Sequence, residues 1–259
     1  ARSHNKSHIL KNLTKKVKFE DVTDKYSCIG LFGPNSRNFL TELIGNYFSK
    51  EDFPFARGKY IYINDIKVWF QRLSFIGELG WEIYIPIKKT NIIFKKIKKL
   101  GKKYNLTYSG MHALDILRLE KKFLHWGHDI TSENNPFESG LSFAVSFKKE
   151  NNFIGRKALE KIKNESPINK LELFSLTSKF KPGSPLLLHD EPIFKNEKII
   201  GYSTSSNYSF CYKKHIFLAY VKTEIRDSDQ LFIEVEGTKY ALNLEKKPIH
   251  DPSSKLMRS

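Results

Sequence analysis

The sequence predicts an α+β protein followed by a second, all-β part, and three observations carry the prediction. Strand-like and helix-like periods interleave without strict alternation up to about residue 166. Behind that point the chain becomes short apolar runs broken by turn formers, the pattern of a small β-barrel or sandwich. A chain of 259 residues with 40% hydrophobic and 14% aromatic content is long enough for more than one core. The expected parts are residues 1–165 and 166–259.

The elements follow in order. "YSCIGLFGPNSRNFLTELIG" reads as a strand ending near Phe32 and a helix entered through Gly33 and Pro34, with Phe39, Leu40, Leu43 and Ile44 on its buried side. "KYIYINDIKVWFQRLSF" holds two strands separated by the turn formers Asn64 and Asp65. The reversal "GELG" then leads into a strand from Trp81, completing an antiparallel meander. In "KKTNIIFKKIKKLGKK", Ile92, Ile93, Ile97 and Leu100 form the apolar stripe of an amphipathic helix whose wet face takes eight lysines. A second helix, "MHALDILRLEKK", repeats Met111, Leu114 and Leu117 at helical spacing, and a short one begins near Gly155. The all-β part is read from "LELFSLTS", "PIFKNEKIIGYSTSS", "HIFLAYVK" and "LFIEVEGTKYALNL". No internal repeat is visible. The opening "ARSHNKSHILKNL" begins with Ala1 and has no clean domain start, as expected of a processed product or a fragment.

Composition excludes several classes. Cys28 and Cys211 are too few for a disulfide framework and lie in no metal-ligand spacing, which suits a reducing compartment or indifference to redox. No apolar run is long enough to cross a bilayer, and no secretory signal is present. The balance of 44 basic to 28 acidic residues, a net +16, attracts polyanions. No nucleic-acid module accompanies the charge, so neither nucleic acid nor membrane is expected as a partner.

One acid stands out. In "SFIGELGWEIYIP", Trp81, Ile83 and Ile85 share one strand face, while Glu82 and Tyr84 share the other. On a plain exposed face Glu82 needs no explanation. If that face lines a cavity, the charge must be paired, and a ligand with adjacent N–H donors would pair it in a bidentate fashion. Phe75, expected on the neighbouring strand, could lay a flat face against a ring. Elsewhere, "LHWGHDI" gathers His125, His128 and Asp129, but Gly127 argues for a turn and a hydrogen-bonded loop rather than a metal site. Asp115, Arg118 and Glu120 could form an ion network or simple helix-surface pairs. No nucleophile elbow and no Gly-x-Gly-x-x-Gly fingerprint occurs.

Taken in order, "DVTDKYSCIGLFGPNSRNFL", "FIGELGWEIYIP", "GMHALDILRLEKKFLHWGHDIT", "NPFESGLSFAVSF" and "FIGRKAL" resemble the tetrahydrofolate-binding aminomethyltransferase family, the glycine cleavage T-protein. The resemblance runs from about Val22 to the last strands. The wording of "GLFGPNSR", "GELGWE" and "HWGHDIT" is nearer the folate half of the dimethylglycine and sarcosine dehydrogenases. It implies an aminomethyltransferase-type folate-binding domain, partial at its N-terminus, followed by a small C-terminal antiparallel β-barrel. It also implies one-carbon transfer to tetrahydrofolate, with a small N-methyl amine or its iminium as donor. FAD would reside only in a separate or preceding flavoprotein domain. The implied compartment is the cytoplasm, or the mitochondrial matrix in a eukaryote.

Residue by residue, the resemblance assigns Glu82 to the pterin end of folate. Phe75 stands where the family generally has a tyrosine, keeping the ring and losing the hydroxyl. His112 stands where the dehydrogenase branch places an arginine, and Leu114 where T-proteins carry one. After "GYSTS" the expected glycine-rich turn is Ser206, Asn207, Tyr208 and Ser209, which makes Tyr208 a candidate contact. The family's catalytic aspartate belongs to an opening portion with no counterpart before Val22, so no catalytic residue is assigned. Two rival expectations remain: a non-catalytic regulatory or folate-binding subunit of the same fold, and a stand-alone T-protein served by a lipoyl carrier. The folate-binding iron–sulfur maintenance proteins are disfavoured because a "KGCY" type of motif is absent.

Overall fold

The computed structural model describes residues 2–46, 49–178, 186–226 and 228–259. By internal packing the chain divides into one unit of residues 1–110 with 253–259 and another of residues 111–252. The predicted boundary near residue 166 falls between the helix Arg156–Ile162 and the first barrel strand.

The first unit opens with α1, Arg2–Asn12, which has no apolar stripe and buries no residue. Strand β1 (Tyr26–Phe32), helix α2 (Ser36–Ile44), the strands β2 (Gly58–Ile63), β3 (Ile66–Gln71) and β4 (Gly80–Pro86), and helix α3 (Thr90–Gly101) follow. The strands form a four-stranded antiparallel sheet in the order β1-β4-β3-β2. Alternation sets the core: Leu31, Ile63, Val68, Phe70, Trp81, Ile83 and Ile85 point to one face and pack with Phe39 and Leu40 of α2 and Ile93 and Ile97 of α3. The predicted stripe of α3 is narrower than expected, because Ile92 is exposed and only Ile93, Ile97 and Leu100 face the core. The meander and the turn at Asn64 and Asp65 are as predicted.

In the second unit, helices α4 (Met111–Glu120) and α5 (Arg156–Ile162) precede six strands: β5 (Asn169–Leu176), β6 (Pro192–Lys195), β7 (Lys198–Ser209), β8 (Lys214–Lys222), β9 (Leu231–Val235) and β10 (Thr238–Glu245). They close into an antiparallel barrel in the order β10-β5-β8-β7-β6-β9. Closure removes the sheet edges and resolves the choice between barrel and sandwich. The middle of strand β8, Ile216 to Val221, is buried and carries no charge because both its faces are covered. Phe217, Ala219 and Val221 fill the barrel, and Ile216, Leu218 and Tyr220 pack with Leu171, Leu173 and Leu119 of α4.

The helical spacing of Met111, Leu114 and Leu117 is that of α4 but does not mark its buried side, and one expectation is corrected in this unit. Met111 is exposed, and Leu114 and Leu117 are only half-buried; the buried end of α4 is Arg118, Leu119 and Glu120. Hydrophobic spacing misses this face because β7 offers it hydroxyl groups rather than apolar surface. Ser206–Ser209 form no turn. They continue β7 in register with β8, and the chain reverses at residues 210–213.

Gly201 marks a close backbone approach in the barrel. A Cβ there would stand 2.0 Å from the carbonyl oxygen of Tyr220 on the paired strand. Gly201→Ala must therefore part β7 from β8, and a loss of about 2 kcal/mol or more is expected in urea unfolding. A wild-type midpoint in that variant would contradict the packing. Among the described residues, no helix is long and apolar enough to cross a membrane.

Candidate functional site

The face of the first sheet turned away from the core carries two parallel rows set by strand register. One row runs Gly30, Glu82, Gln71, Gly58, and the next runs Cys28, Tyr84, Trp69, Tyr60. An acid and a carboxamide thus lie side by side, with a phenol, an indole and a second phenol in the adjacent row. Trp69 stacks edge-on against Tyr60 with ring centroids 4.9 Å apart, and its Nε1–H reaches Gln71 Oε1 at 3.4 Å. The indole lies so close over Gly58 that a Cβ there would meet the ring at 2.3 Å, so only glycine leaves the row low enough.

Glu82 is half-buried and does not point freely into water. Its Oε2 accepts a hydrogen bond from the Tyr84 hydroxyl at 2.7 Å. Burial first, and then the Glu82 carboxylate, pushes the Tyr84 phenol well above its ordinary range, which keeps it a donor at neutral pH. Each carboxylate oxygen has two lone pairs, so both oxygens of Glu82 retain capacity for a further donor. Tyr84 also lines a cavity of about 560 Å³ with Cys28, Tyr26, Arg2, Lys6 and Asp21. On that rim Arg2 forms ion pairs with Asp21 and Asp24. The Thr23 hydroxyl, then Arg2, hold the Asp21 carboxyl down to about 2.

Phe75 departs from its expected place. Strand β3 ends at Gln71, where the Arg72 N–H turns to the Arg57 carbonyl. Phe75 therefore sits half-buried in the connection to β4, not on the neighbouring strand. Sequence reasoning missed Gln71 and Trp69. The signal was present in the strict alternation of "IKVWFQ", but which residues stand beside Glu82 depends on register across two strands.

The remaining candidates belong to the second unit. His112 is exposed in the first turn of α4. Tyr208 is half-buried near the end of β7, with its ring edge-on to His215 and to Phe210, each 5.1 Å away by centroid. Burial lowers the His215 pKa from its ordinary 6.5. Below pH 6.5 the unfolded chain then holds a proton that the folded chain rejects, so stability present above that pH falls on acidification. A shallower decline of melting temperature between pH 7.5 and 5.5 is expected for His215→Asn. Identical slopes would argue against it.

Asp129 anchors the "LHWGHDI" loop rather than a metal. It is fully buried, accepts the His125 backbone N–H at 2.8 Å and the Thr204 hydroxyl at 2.7 Å, and is bonded by Arg118 Nη1. Arg118, also buried, spends its other donors on Asp115 at 2.8 Å, the Phe123 carbonyl at 3.1 Å and Ser205 at 2.8 Å. The anticipated Asp115–Arg118–Glu120 network is therefore half right. Asp115 joins Arg118, while Glu120 binds Ser209 at 2.5 Å and neither belongs to a plain helix surface. Among the described residues no cluster of His, Cys, Asp and Glu suits a metal ion.

Comparison with known proteins is decisive for the family. The GCVT N-terminal domain matches residues 1–149, more than half of the chain. The chain belongs to the glycine cleavage T-protein family. The family's C-terminal barrel domain matches residues 172–251, spanning most of the six closed strands. Residues 1–21, where no family wording is visible, fall inside the first match.

Among T-protein relatives, mouse dimethylglycine dehydrogenase is 32% identical over 235 residues, covering 90% of this chain and 26% of that protein. The mouse pyruvate dehydrogenase phosphatase regulatory subunit is 34% identical over 214 residues, 82% of this chain and 24% of that protein. The crystal structure of aminomethyltransferase T from Bartonella henselae superposes with a TM-score of 0.75 at 23% identity, over 88% of this chain and 60% of that one, and so shares the fold. The chain spans about a quarter of the length of these two mouse relatives.

Proposed function

We propose that this chain is the tetrahydrofolate-binding and barrel portion of a one-carbon transferase that works with a flavoprotein oxidising an N-methyl amine such as dimethylglycine or sarcosine. The observation that carries the reading is Glu82, a half-buried carboxylate held by Tyr84 and set beside Gln71 on a face of aromatic rings. A pterin presents an amino group and a ring N–H as adjacent donors, which a carboxylate accepts in a bidentate arrangement. The flat heterocycle suits neighbours such as Trp69 and Tyr84.

The chemistry asked of the protein is modest. A folate nitrogen is already a nucleophile, so the residues here need only orient the acceptor and exclude misaligned approach. The net +16 suits the glutamate tail of the cofactor. Phe75, His112 and Tyr208 are further positions that the family pattern assigns to folate, each to be tested by its own variant. The proposal is tested by titrating the full chain with tetrahydrofolate in a calorimeter. Saturable binding is expected, and heat no different from buffer would overturn it.

A second reading is favoured by the likeness to a phosphatase regulatory subunit. In this reading the chain keeps the fold and binds folate without turnover. It predicts folate binding but no one-carbon transfer when the chain is supplied with a flavoprotein dehydrogenase and its amine. Transfer in that assay would eliminate it.

A further inference from the structure

Eight lysines fall between Lys88 and Lys103, and from Ile83 to Gly110 the chain carries no acidic residue. Helix α3 and the turn Ile87–Lys89 before it leave six of them in the open: Lys88, Lys89, Lys95, Lys98, Lys99 and Lys102 are exposed and form no ion pair among the described residues. Lys103 is bonded to Glu42 at 2.6 Å. Lys95, Lys98, Lys99 and Lys102 stand at i, i+3, i+4 and i+7, a single stripe turned away from the buried Ile93 and Ile97. Like charges at that spacing repel, and no acid of the helix relieves them. The lysines near its C-terminus complement the helix dipole, but Lys88 and Lys89 precede a first turn that has no acid, where a cation is unfavourable. Exposed Phe94 and Ile92 flank the stripe on its two sides. Ile87 and Tyr108 are exposed as well, the Tyr108 ring 5.9 Å from that of Phe94.

The stripe carries a self-repulsion that an anionic surface would relieve, and its make-up selects the kind of surface. Lysines are point charges without the planar fork that arginine offers to nucleic-acid phosphates, and α3 contains no arginine. Protein interfaces are depleted of lysine. Clustered lysines beside exposed isoleucine and aromatic side chains instead match a helix lying against anionic headgroups, where long apolar stems carry the ammonium groups to the phosphate level. Such contact needs no spanning segment. Composition alone predicts no membrane partner, because net charge without placement names no surface. Helix α3 covers the core face of the sheet while the Glu82 row lies on the other face, so docking through α3 leaves that row open. We propose that the lysine face of α3, with Lys88 and Lys89, docks the first unit on an anionic lipid surface.

The test is co-sedimentation of the full chain with phosphatidylcholine vesicles that contain or lack phosphatidylserine. Binding is expected only with phosphatidylserine, and it should weaken steeply as added salt shortens the screening length. Each lysine near an anionic surface is worth about fivefold in affinity, so Lys95→Glu, Lys98→Glu, Lys99→Glu and Lys102→Glu combined should weaken binding by at least about a hundredfold. Reversing the exposed Lys11, Lys15, Lys16 and Lys18 instead changes net charge equally and is expected to cost less than about tenfold. If the reversed helix does not fold, glutamine at the same four positions of α3 takes its place. Equal losses in the two sets of variants would show that net charge alone attracts the chain and would overturn the proposal. So would equal binding to both kinds of vesicle. Tighter stripe-dependent binding to polyglutamate than to phosphatidylserine vesicles would assign the face to an acidic protein and overturn the lipid assignment.

Discussion

Glu82→Ala is expected to weaken tetrahydrofolate binding by about two orders of magnitude while leaving the chain folded. Hydrogen bonds to a charged acceptor contribute about 1.5–3 kcal/mol each, and one bond near the upper end, or two near the lower, amounts to a hundredfold. Stability should move much less. Glu82 is half-buried and its single described hydrogen bond comes from Tyr84, so its loss costs about 1 kcal/mol or slightly more. Glu82→Gln sharpens the test: it preserves shape but places an NH₂ donor where the ligand offers donors, and should lose nearly as much affinity as alanine. Calorimetric titration beside a thermal melt separates the two effects. Unchanged affinity in both variants would remove Glu82 from the site.

Arg118→Met is expected to produce the largest loss of stability, about 3–5 kcal/mol, measured by urea unfolding of the full chain. Arg118 and Asp129 are 1% exposed or less, and Arg118 also joins Asp115 and Ser205. Removing the guanidinium leaves the Asp129 carboxylate buried with only the His125 N–H and the Thr204 hydroxyl. The cost is mainly that stranded charge rather than the lost contact. Arg118→Met combined with Asp129→Asn should therefore cost less than the sum of the two single changes. Strict additivity, or a loss below about 1 kcal/mol in the single variant, would show that water reaches the pair.

Much of this architecture is legible from periodicity. The meander of β2, β3 and β4 follows from two alternating runs around Asn64 and Asp65, and the barrel strands follow from apolar runs separated by turn residues. The errors cluster where polarity is buried or where an element must end. Met111 and Leu114 mark α4 as a helix, yet its buried end carries Arg118 and Glu120, because β7 lines that contact with serine and threonine hydroxyls. Nothing local in "SSNYS" distinguishes a turn from a continued strand; eight further residues of β8 decide it by pairing.

By itself the sequence determined the kinds of element, their order, the family pattern and the conspicuous acid at Glu82, since these depend on side-chain period and composition within a few neighbouring residues. Only the tertiary structure decided what Glu82 touches, that Gln71 and Trp69 stand beside it, that six strands close into a barrel, and that Arg72 meets Ser259. Those facts depend on strand register and on contacts between residues as many as 187 positions apart. Local periodicity cannot encode them, because a shift of one residue in pairing exchanges one face of a sheet for the other while leaving every local pattern intact.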